Sequence, residues 1–320
     1  MSARGAWGAG KIILLGEHAV IYGHPALAGA LDLGVRVDAR PGRLRLRVPA
    51  WQLDVDADDD HPAAAAVRLI ADEIAARAAE AVAITMDDGL SAESHLERPA
   101  VELVADATVP AAAGLGSSAA LAVAVTRALA AASGARLAAD EVAEIANAAE
   151  RAFHQRPSGV DVALASAGGL GVFRTATGLT RLPVPPLALA VGLSGEARST
   201  ATMVARVRDA VGGDARDPRL VALAACAEAG AAALGAGDVA ALGPLFDVAH
   251  RHLGALGVST PSLDRLVELA RGAGALGAKL TGAGGGGAVI ALAPGREADV
   301  VAAWRAAGAT GMVVTVGASP

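Results

Sequence analysis

The stretch PAAAGLGSSAALAVAV (110–125) sets two glycines and two serines between apolar runs of different character. Upstream, VELVADATVP (101–110) alternates as a strand does; downstream, LAVAVTRALAAASG extends as a helix that stops near Gly134. A glycine-rich loop therefore joins a strand to the first turn of a helix. Backbone N–H groups at such a helix start, with the helix dipole behind them, favour an anion. Gly114 and Gly116 let the backbone come close to that anion, and the hydroxyls of Ser117 and Ser118 reach phosphate oxygens or a metal. An ordinary Gly-Ser helix start is the bland alternative. The same residues fit G-x-G-x-x-A with Ala119 last, a dinucleotide fingerprint that demands an acidic residue ending a second strand about 20 residues on. Asp140 occupies that place but opens a helix, AADEVAEIANAAERAF (138–153), and a Rossmann site is excluded.

Towards the N-terminus, GAWGAGKI (5–12) nearly spells G-x-x-x-x-G-K-[ST], with Ile12 where a hydroxyl is required. A true phosphate loop of that kind follows a strand and opens a helix. Here four residues precede Gly5, and KIILL after it reads as a strand, so the Walker reading fails. Lys11 is left at the start of an apolar strand, either solvated or functional. GEHAVIYGHPAL (16–27) gathers Glu17, His18, Tyr22 and His24 among apolar residues, as capping groups or as a ligand site. Glu150 and Asp161 stand eleven positions apart across Pro157-Ser158-Gly159, so only the fold can converge them. Phosphoryl transfer needs a carboxylate for magnesium and often a second to accept a hydroxyl proton, though Glu150 could equally be a surface residue. KLTGAGGGGAVIAL (279–292) has glycine at five of six positions from Gly282 to Gly287; apolar flanks favour backbone packed against a ligand or another loop over a flexible linker.

The remaining pattern bounds the class. At 320 residues the chain is long enough for two ordinary domains, and RLPVPPLALAVGL, with three prolines in the four residues after Leu182, marks the boundary: 1–182 and 183–320. Hydrophobic residues reach 53% but aromatics only 2%, so the core is built from Ala, Val and Leu. The longest uncharged stretch (107–126) contains Pro110 and no long Leu/Ile/Phe run, which argues against a membrane span. A net charge of −6 argues against a nucleic-acid partner, and RLRLRV (43–48) alternates as a strand with its arginines on the wet face. DVDADDDHP (54–62) lacks the glycine and glutamate of a calcium loop and reads as a solvated acidic loop. Cys226, the lone cysteine, lies in a helical pattern as a buried thiol, and a cytoplasmic location is expected. Residues 62–81 read as a helix, whereas VDVALASAGGLGVF (160–173) reads as strand or mixed structure.

Taken together, GKIILLGEHAVIYG, PAAAGLGSSAA and KLTGAGGGG, in this order across nearly the whole chain, resemble the three motifs of the GHMP kinases (galactokinase, homoserine kinase, mevalonate kinase and phosphomevalonate kinase). GEHAVIYGHPALA, RPSGVDVALASAGG and SGEARSTATMVARVR (194–208) are similar to segments of the mevalonate kinase branch. The resemblance implies an α+β fold of two domains: an N-terminal domain like domain 2 of ribosomal protein S5 and a ferredoxin-like C-terminal domain. It implies ATP-dependent phosphorylation of the C5 hydroxyl of (R)-mevalonate with Mg2+ as cofactor, the alternatives being a phosphomevalonate kinase, another small-alcohol kinase of the family or, more remotely, a noncatalytic nucleotide binder. Pro110, Gly114, Leu115, Gly116, Ser117, Ser118 and Ala119 are expected to bind ATP, Ser118 and Glu150 to hold the metal, and Asp161 and Lys11 to be catalytic. Glu17, His18, Thr200 and Gly284 are expected near the acceptor. ATP and mevalonate are the implied small-molecule partners, with homodimer formation left open. Two departures stand out: Ala111 and Ala112 follow Pro110 where the family usually has glycine, and Gln155 stands where glycine usually follows the histidine.

Overall fold

From Gly8 to Leu15 every residue of the first strand, β1 (Ala6–Leu15), is buried. A strand with no polar row must be covered on both faces, and this requirement organises the N-terminal half. The structure, a computed structural model, describes residues 5–85, 98–152, 159–196 and 199–318. Gln155, Arg156 and Arg198, and with them most of the expected turn at 156–159, lie outside the described residues.

The long strand β2 (Ala26–Pro41) is the spine of the sheet. One edge pairs antiparallel with β1. β3 (Arg45–Val48), β4 (Leu53–Asp56), helix α1 (Pro62–Thr85) and β5 (Val101–Ala107) follow. β5 takes the Val35–Pro41 end of β2, and β3 and β4 extend the sheet beyond it. Leu46 and Val48 are buried while Arg45 and Arg47 face Asp54, as the alternation of this strand requires. After α2 (Ser117–Ala132), α3 (Ala139–Glu150) and α4 (Val160–Ala167), strand β6 (Leu170–Arg174) pairs with the Ala26–Gly29 end of β2, and β7 (Gly178–Arg181) pairs with β6.

Residues 160–167 correct the expectation of strand or mixed structure. Val160 and Val162 alternate like a strand, but Ala163, Ala165 and Ala167 favour a helix, and Gly159 and Gly168 take positive-φ caps at its two ends. The helix form buries Val160 and Leu164 against Ala9 and Ile13 of β1. α2 covers β1 and β2 from another side, with α1 and α3 beside it.

The second half contributes β8 (Leu187–Leu193), α5 (Thr200–Val211), α6 (Pro218–Gly235), α7 (Leu242–Ala255), α8 (Pro261–Gly272), β9 (Gly277–Thr281), β10 (Ala288–Leu292), α9 (Glu297–Ala306) and β11 (Thr310–Val316). Its four strands are antiparallel in the order β11-β8-β10-β9. Numbered within this half that is 4-1-3-2, the strand order of a ferredoxin-like sheet. β11 also joins β2 at Val316 and Leu31, so the two halves share one continuous sheet. Among the described residues, α6 alone is long and apolar enough to cross a membrane. Leu220, Leu223, Cys226, Ala227 and Leu234 of that helix are buried, and it packs on α7, β1 and β2, the behaviour of a core helix.

α2 lies so close to β1 that a Cβ on Gly8 would sit 2.0 Å from the Ala120 carbonyl oxygen. Gly8→Ala must therefore displace backbone and should cost about 2–3 kcal/mol, at the upper end of overpacking penalties. Gly23, at φ 87° with open space around it, is the control: Gly23→Ala should cost only the left-handed penalty of about 1–2 kcal/mol. Urea unfolding of the two variants measures the difference, and equal losses would show that α2 can retreat.

Candidate active site

The register of β1 against β2 shifts between Ala9 and Lys11, where Ala9 faces Gly34 but Lys11 faces Ala30. The freed N–H of Lys11 donates instead to the carbonyl of Leu115 at 2.8 Å, tying the glycine-rich loop to the strand. Gly116, the N-cap of α2, holds φ 74°, and a Cβ there would stand 2.7 Å from Cγ of Lys11. Glycine is thus required twice over at this position, by conformation and by contact. Ala112 also takes a positive φ, 55°, which glycine adopts at lower cost and alanine at about 1–2 kcal/mol. The family's preference for glycine just after the proline has its physical reason here.

A cavity of about 640 Å³ opens over this loop. Gly114, Gly116, Ser117 and Ser118 line it, whereas Leu115 and Ala119 are fully buried in the core. Leu115 serves through its carbonyl, and Ala119 by being small. Pro110 lies in an adjoining recess with Trp51, whose Nε1 donates to the Val109 carbonyl at 3.1 Å. Lys11 is 5% exposed, and its ammonium stands 3.1 Å from Oδ1 of Asp161, in the first turn of α4. Ser118 Oγ donates to Oε2 of Glu150 at 3.3 Å, and Oε1 of Glu150 is buried with no hydrogen-bond partner among the described residues. The fold thus converges the two carboxylates across the turn, Glu150 from the last residue of α3 and Asp161 from α4. Burial first, and the charge of Asp161 second, push the Glu150 carboxyl up to about 7, against the Ser118 hydrogen bond and Lys11.

Glu17, His18 and Thr200 line the opposite part of the cavity. His18 holds φ 60°, and its Nε2 pairs with the Ala283 carbonyl at 2.9 Å. Ser199 caps α5 through the Thr202 amide and thereby sets Thr200 at the rim. In the 282–287 loop, Gly282 and Ala283 reach the cavity, while Gly284 abuts Val258: a Cβ there would meet the Val258 carbonyl at 2.2 Å. Gly284 and Gly286 pack against the loops at Val258 and Glu196, Gly285 packs against Met203 of α5, and Gly284 is not among the residues lining the cavity.

A glycine-rich loop at a helix start, a buried lysine paired with a half-buried aspartate and a serine–glutamate pair around one cavity make a phosphoryl-transfer site chemically coherent. The family model for the GHMP kinases N terminal domain matches residues 73–169, and that for the GHMP kinases C terminal matches residues 225–310. The mevalonate kinase of Thermococcus sibiricus is 36% identical, covering 96% of this chain and 94% of its own length. The chain belongs to the GHMP kinases. The mevalonate kinase of Pyrococcus furiosus is 33% identical over 96% of this chain and 94% of its own. Among solved structures, L. major mevalonate kinase in complex with R-mevalonate matches this GHMP kinase with a TM-score of 0.76 and 26% identity, covering 100% of this chain and 98% of that one.

Two buried residues next to the cavity lining of this kinase have no counterpart among the sequence-based candidates. Lys279 of β9 is fully buried against Glu17, and Thr281 Oγ1 donates to the Ile13 carbonyl at 2.8 Å. The signal was present, since a lysine and a threonine interrupt an otherwise apolar strand, but their partners lie 262 and 268 positions away.

The raised Glu150 pKa makes metal-free stability depend on pH. Between its ordinary 4.5 and about 7 the folded chain holds a proton that the unfolded chain has released. Stability from this group is therefore full below pH 4.5 and lost as pH rises through 7, by about 3 kcal/mol in all. Glu150→Gln removes the effect. In chelator-treated buffer the stability of Glu150→Gln relative to the parent should grow from pH 5 to pH 8, measured by urea melts; a constant difference would contradict the placement of this carboxyl.

Proposed function

We propose that this GHMP kinase transfers the γ-phosphoryl group of ATP to the C5 hydroxyl of (R)-mevalonate. The observation that carries the reading is the Lys11–Asp161 ion pair at 3.1 Å, set beside the Ser118–Glu150 pair and over the glycine-rich loop. A module that only bound nucleotide would have no use for a carboxylate held against a buried ammonium. The curated relatives at 33–36% identity, all mevalonate kinases, support the choice of acceptor.

In this reading the amides around Gly114, Gly116, Ser117 and Ser118 cradle the ATP phosphates, with the α2 dipole behind them. Magnesium fits the residues present: the unpartnered Oε1 of Glu150 and the Ser118 hydroxyl are hard oxygen donors converging on one spot. Ser118 and Glu150 would hold the ion, which neutralises charge on the phosphates when bound. Asp161 accepts the proton of the acceptor hydroxyl or orients it. Lys11 pairs with Asp161 and faces the transferring group. Glu17, His18 and Thr200 meet the remainder of the acceptor. The lone Cys226, free and buried, suits a reducing cytoplasm.

Asp161→Asn tests the mechanism. The variant should fold and bind ATP as before, yet lose about 100-fold or more in kcat, the scale of a general-base contribution. Retention of a third of parental turnover would remove Asp161 from the chemistry.

Phosphomevalonate is the nearest rival acceptor. A second phosphate calls for Lys or Arg in charge-assisted contact. Among the described residues lining the cavity, the basic side chains are Lys11, His18 and His61, and Lys11 is engaged by Asp161. kcat/KM for mevalonate should therefore exceed that for phosphomevalonate by about 100-fold or more, roughly 2.7 kcal/mol of transition-state discrimination. An ADP-release assay with both acceptors at saturating Mg·ATP measures the ratio, and a preference for phosphomevalonate would overturn the assignment.

A further inference from the structure

Lys279 is fully buried, yet it does not reach the cavity or the phosphate loop. Its ammonium donates to Oε1 of Glu17 and, at 2.7 Å, to the carbonyl of Leu280. An ammonium taken wholly out of water is costly unless it is paired, and strands of soluble domains rarely carry one. Glu17 is 1% exposed, forms part of the cavity wall, and keeps Oε2 without a hydrogen-bond partner among the described residues. One oxygen of this carboxylate is thus committed to the second half of the chain, and the other remains available where the acceptor binds.

We propose that Lys279 is a positioning residue for the acceptor: it keeps Glu17 an ionised, acceptor-only carboxylate whose Oε2 takes a hydrogen bond from a hydroxyl of the molecule being phosphorylated. This inference rests on the kinase reading of the cavity. A carboxyl buried among Ala, Val and Leu would otherwise take up a proton, lose its charge and present a donor as readily as an acceptor. Burial shifts Glu17 up and Lys279 down on balance, and the attraction between the two is the largest influence opposing both shifts. The neighbours cannot substitute. Lys11 on β1 is engaged by Asp161, and His18 on the same loop is turned to the Ala283 carbonyl. Burial holds the Cys226 thiol of α6 up and the His250 imidazole of α7 down, leaving both uncharged near Lys279. His250 further accepts the Leu280 N–H on Nδ1 and turns Nε2 to Asp264, so it adds no charge to the pair.

The test uses Lys279→Met and the double variant Glu17→Gln/Lys279→Met in the full-length enzyme. The acceptor is whichever of mevalonate, phosphomevalonate, homoserine and galactose the parent phosphorylates. Parental choice among these four tests the substrate reading on its own; the ratio of variant to parent tests Lys279. Lys279→Met should raise the acceptor KM at pH 7 by about 20-fold or more, while KM for Mg·ATP stays within about twofold. Its kcat/KM for the acceptor should recover about fivefold or more from pH 6.5 to pH 9, as the orphaned Glu17 ionises. The double variant has no carboxyl to ionise and should show the raised acceptor KM without that recovery. An acceptor KM within about threefold of the parent, a parallel rise in KM for Mg·ATP, or a pH recovery that persists in the double variant would each overturn the proposal. Should Lys279→Met fail to fold, the double variant decides alone, because deleting both partners leaves no buried charge: a raised acceptor KM supports the proposal, and a parental one refutes it.

Discussion

The site depends on one backbone hydrogen bond, from the N–H of Lys11 to the carbonyl of Leu115. It exists because β1 and β2 fall out of register between Ala9 and Lys11, which releases that N–H from the ladder. A strand interior normally has no donor to spare, so the break in pairing is what lets the phosphate loop dock on the sheet. Glycines at 8 and 116 then bring α2 and its N-terminus within reach of β1, where any larger residue would collide with Ala120 or Lys11. The position of the loop relative to the Lys11 ammonium is therefore set by main-chain geometry, before side chains contribute anything.

Charge is distributed around the cavity with equal economy. Among the described residues the buried charged side chains are Lys11, Glu17, Glu150 and Lys279, and three of the four line the cavity while the fourth touches it through Glu17. Each of the two lysines has a carboxylate: Asp161 for Lys11 and Glu17 for Lys279. Among the described residues Glu150 has the Ser118 hydroxyl, an unfavourable neighbour in Asp161 and a weaker favourable one in Lys11. A carboxyl left without a cation in a poorly hydrated corner is unstable as an anion until a cation arrives. Burial first, and this imbalance second, raise its pKa.

Much of this was legible in the sequence because it is local. The strand–glycine loop–helix order at 101–132, the alternation in β3 and the helix over 62–81 follow from side-chain period and turn residues within a dozen positions. Residues 160–167 misled because two valines at alternate positions mimic a strand, while the deciding contacts with Ala9 and Ile13 come from the far end of the domain. Lys11 and Asp161 were paired in the sequence only through the family resemblance, since they stand 150 positions apart and no local pattern links them; they meet through the packing of α4 on β1. Glu17 was legible and Lys279 was not: a lone lysine among apolar residues has no local partner to betray its role. Gly284 was expected at the acceptor because glycine-rich loops often touch ligands, and here steric closeness to Val258 accounts for its lack of a side chain.

The seam between the halves has a consequence for biogenesis. The contacts that close it join residues 262, 268 and 283 positions apart, from Glu17, Ile13 and Asp32 to Lys279, Thr281 and Thr315. During synthesis from the N-terminus the first strand and the glycine-rich loop emerge early, but Glu17 meets its cation only after β9 has left the ribosome, and β2 gains β11 later still. Until then the growing polypeptide exposes a carboxylate and a strand edge whose mates have not yet been made. Chains of this topology acquire activity late and all at once, and the interval before closure is where chaperone capture and misassembly compete with folding.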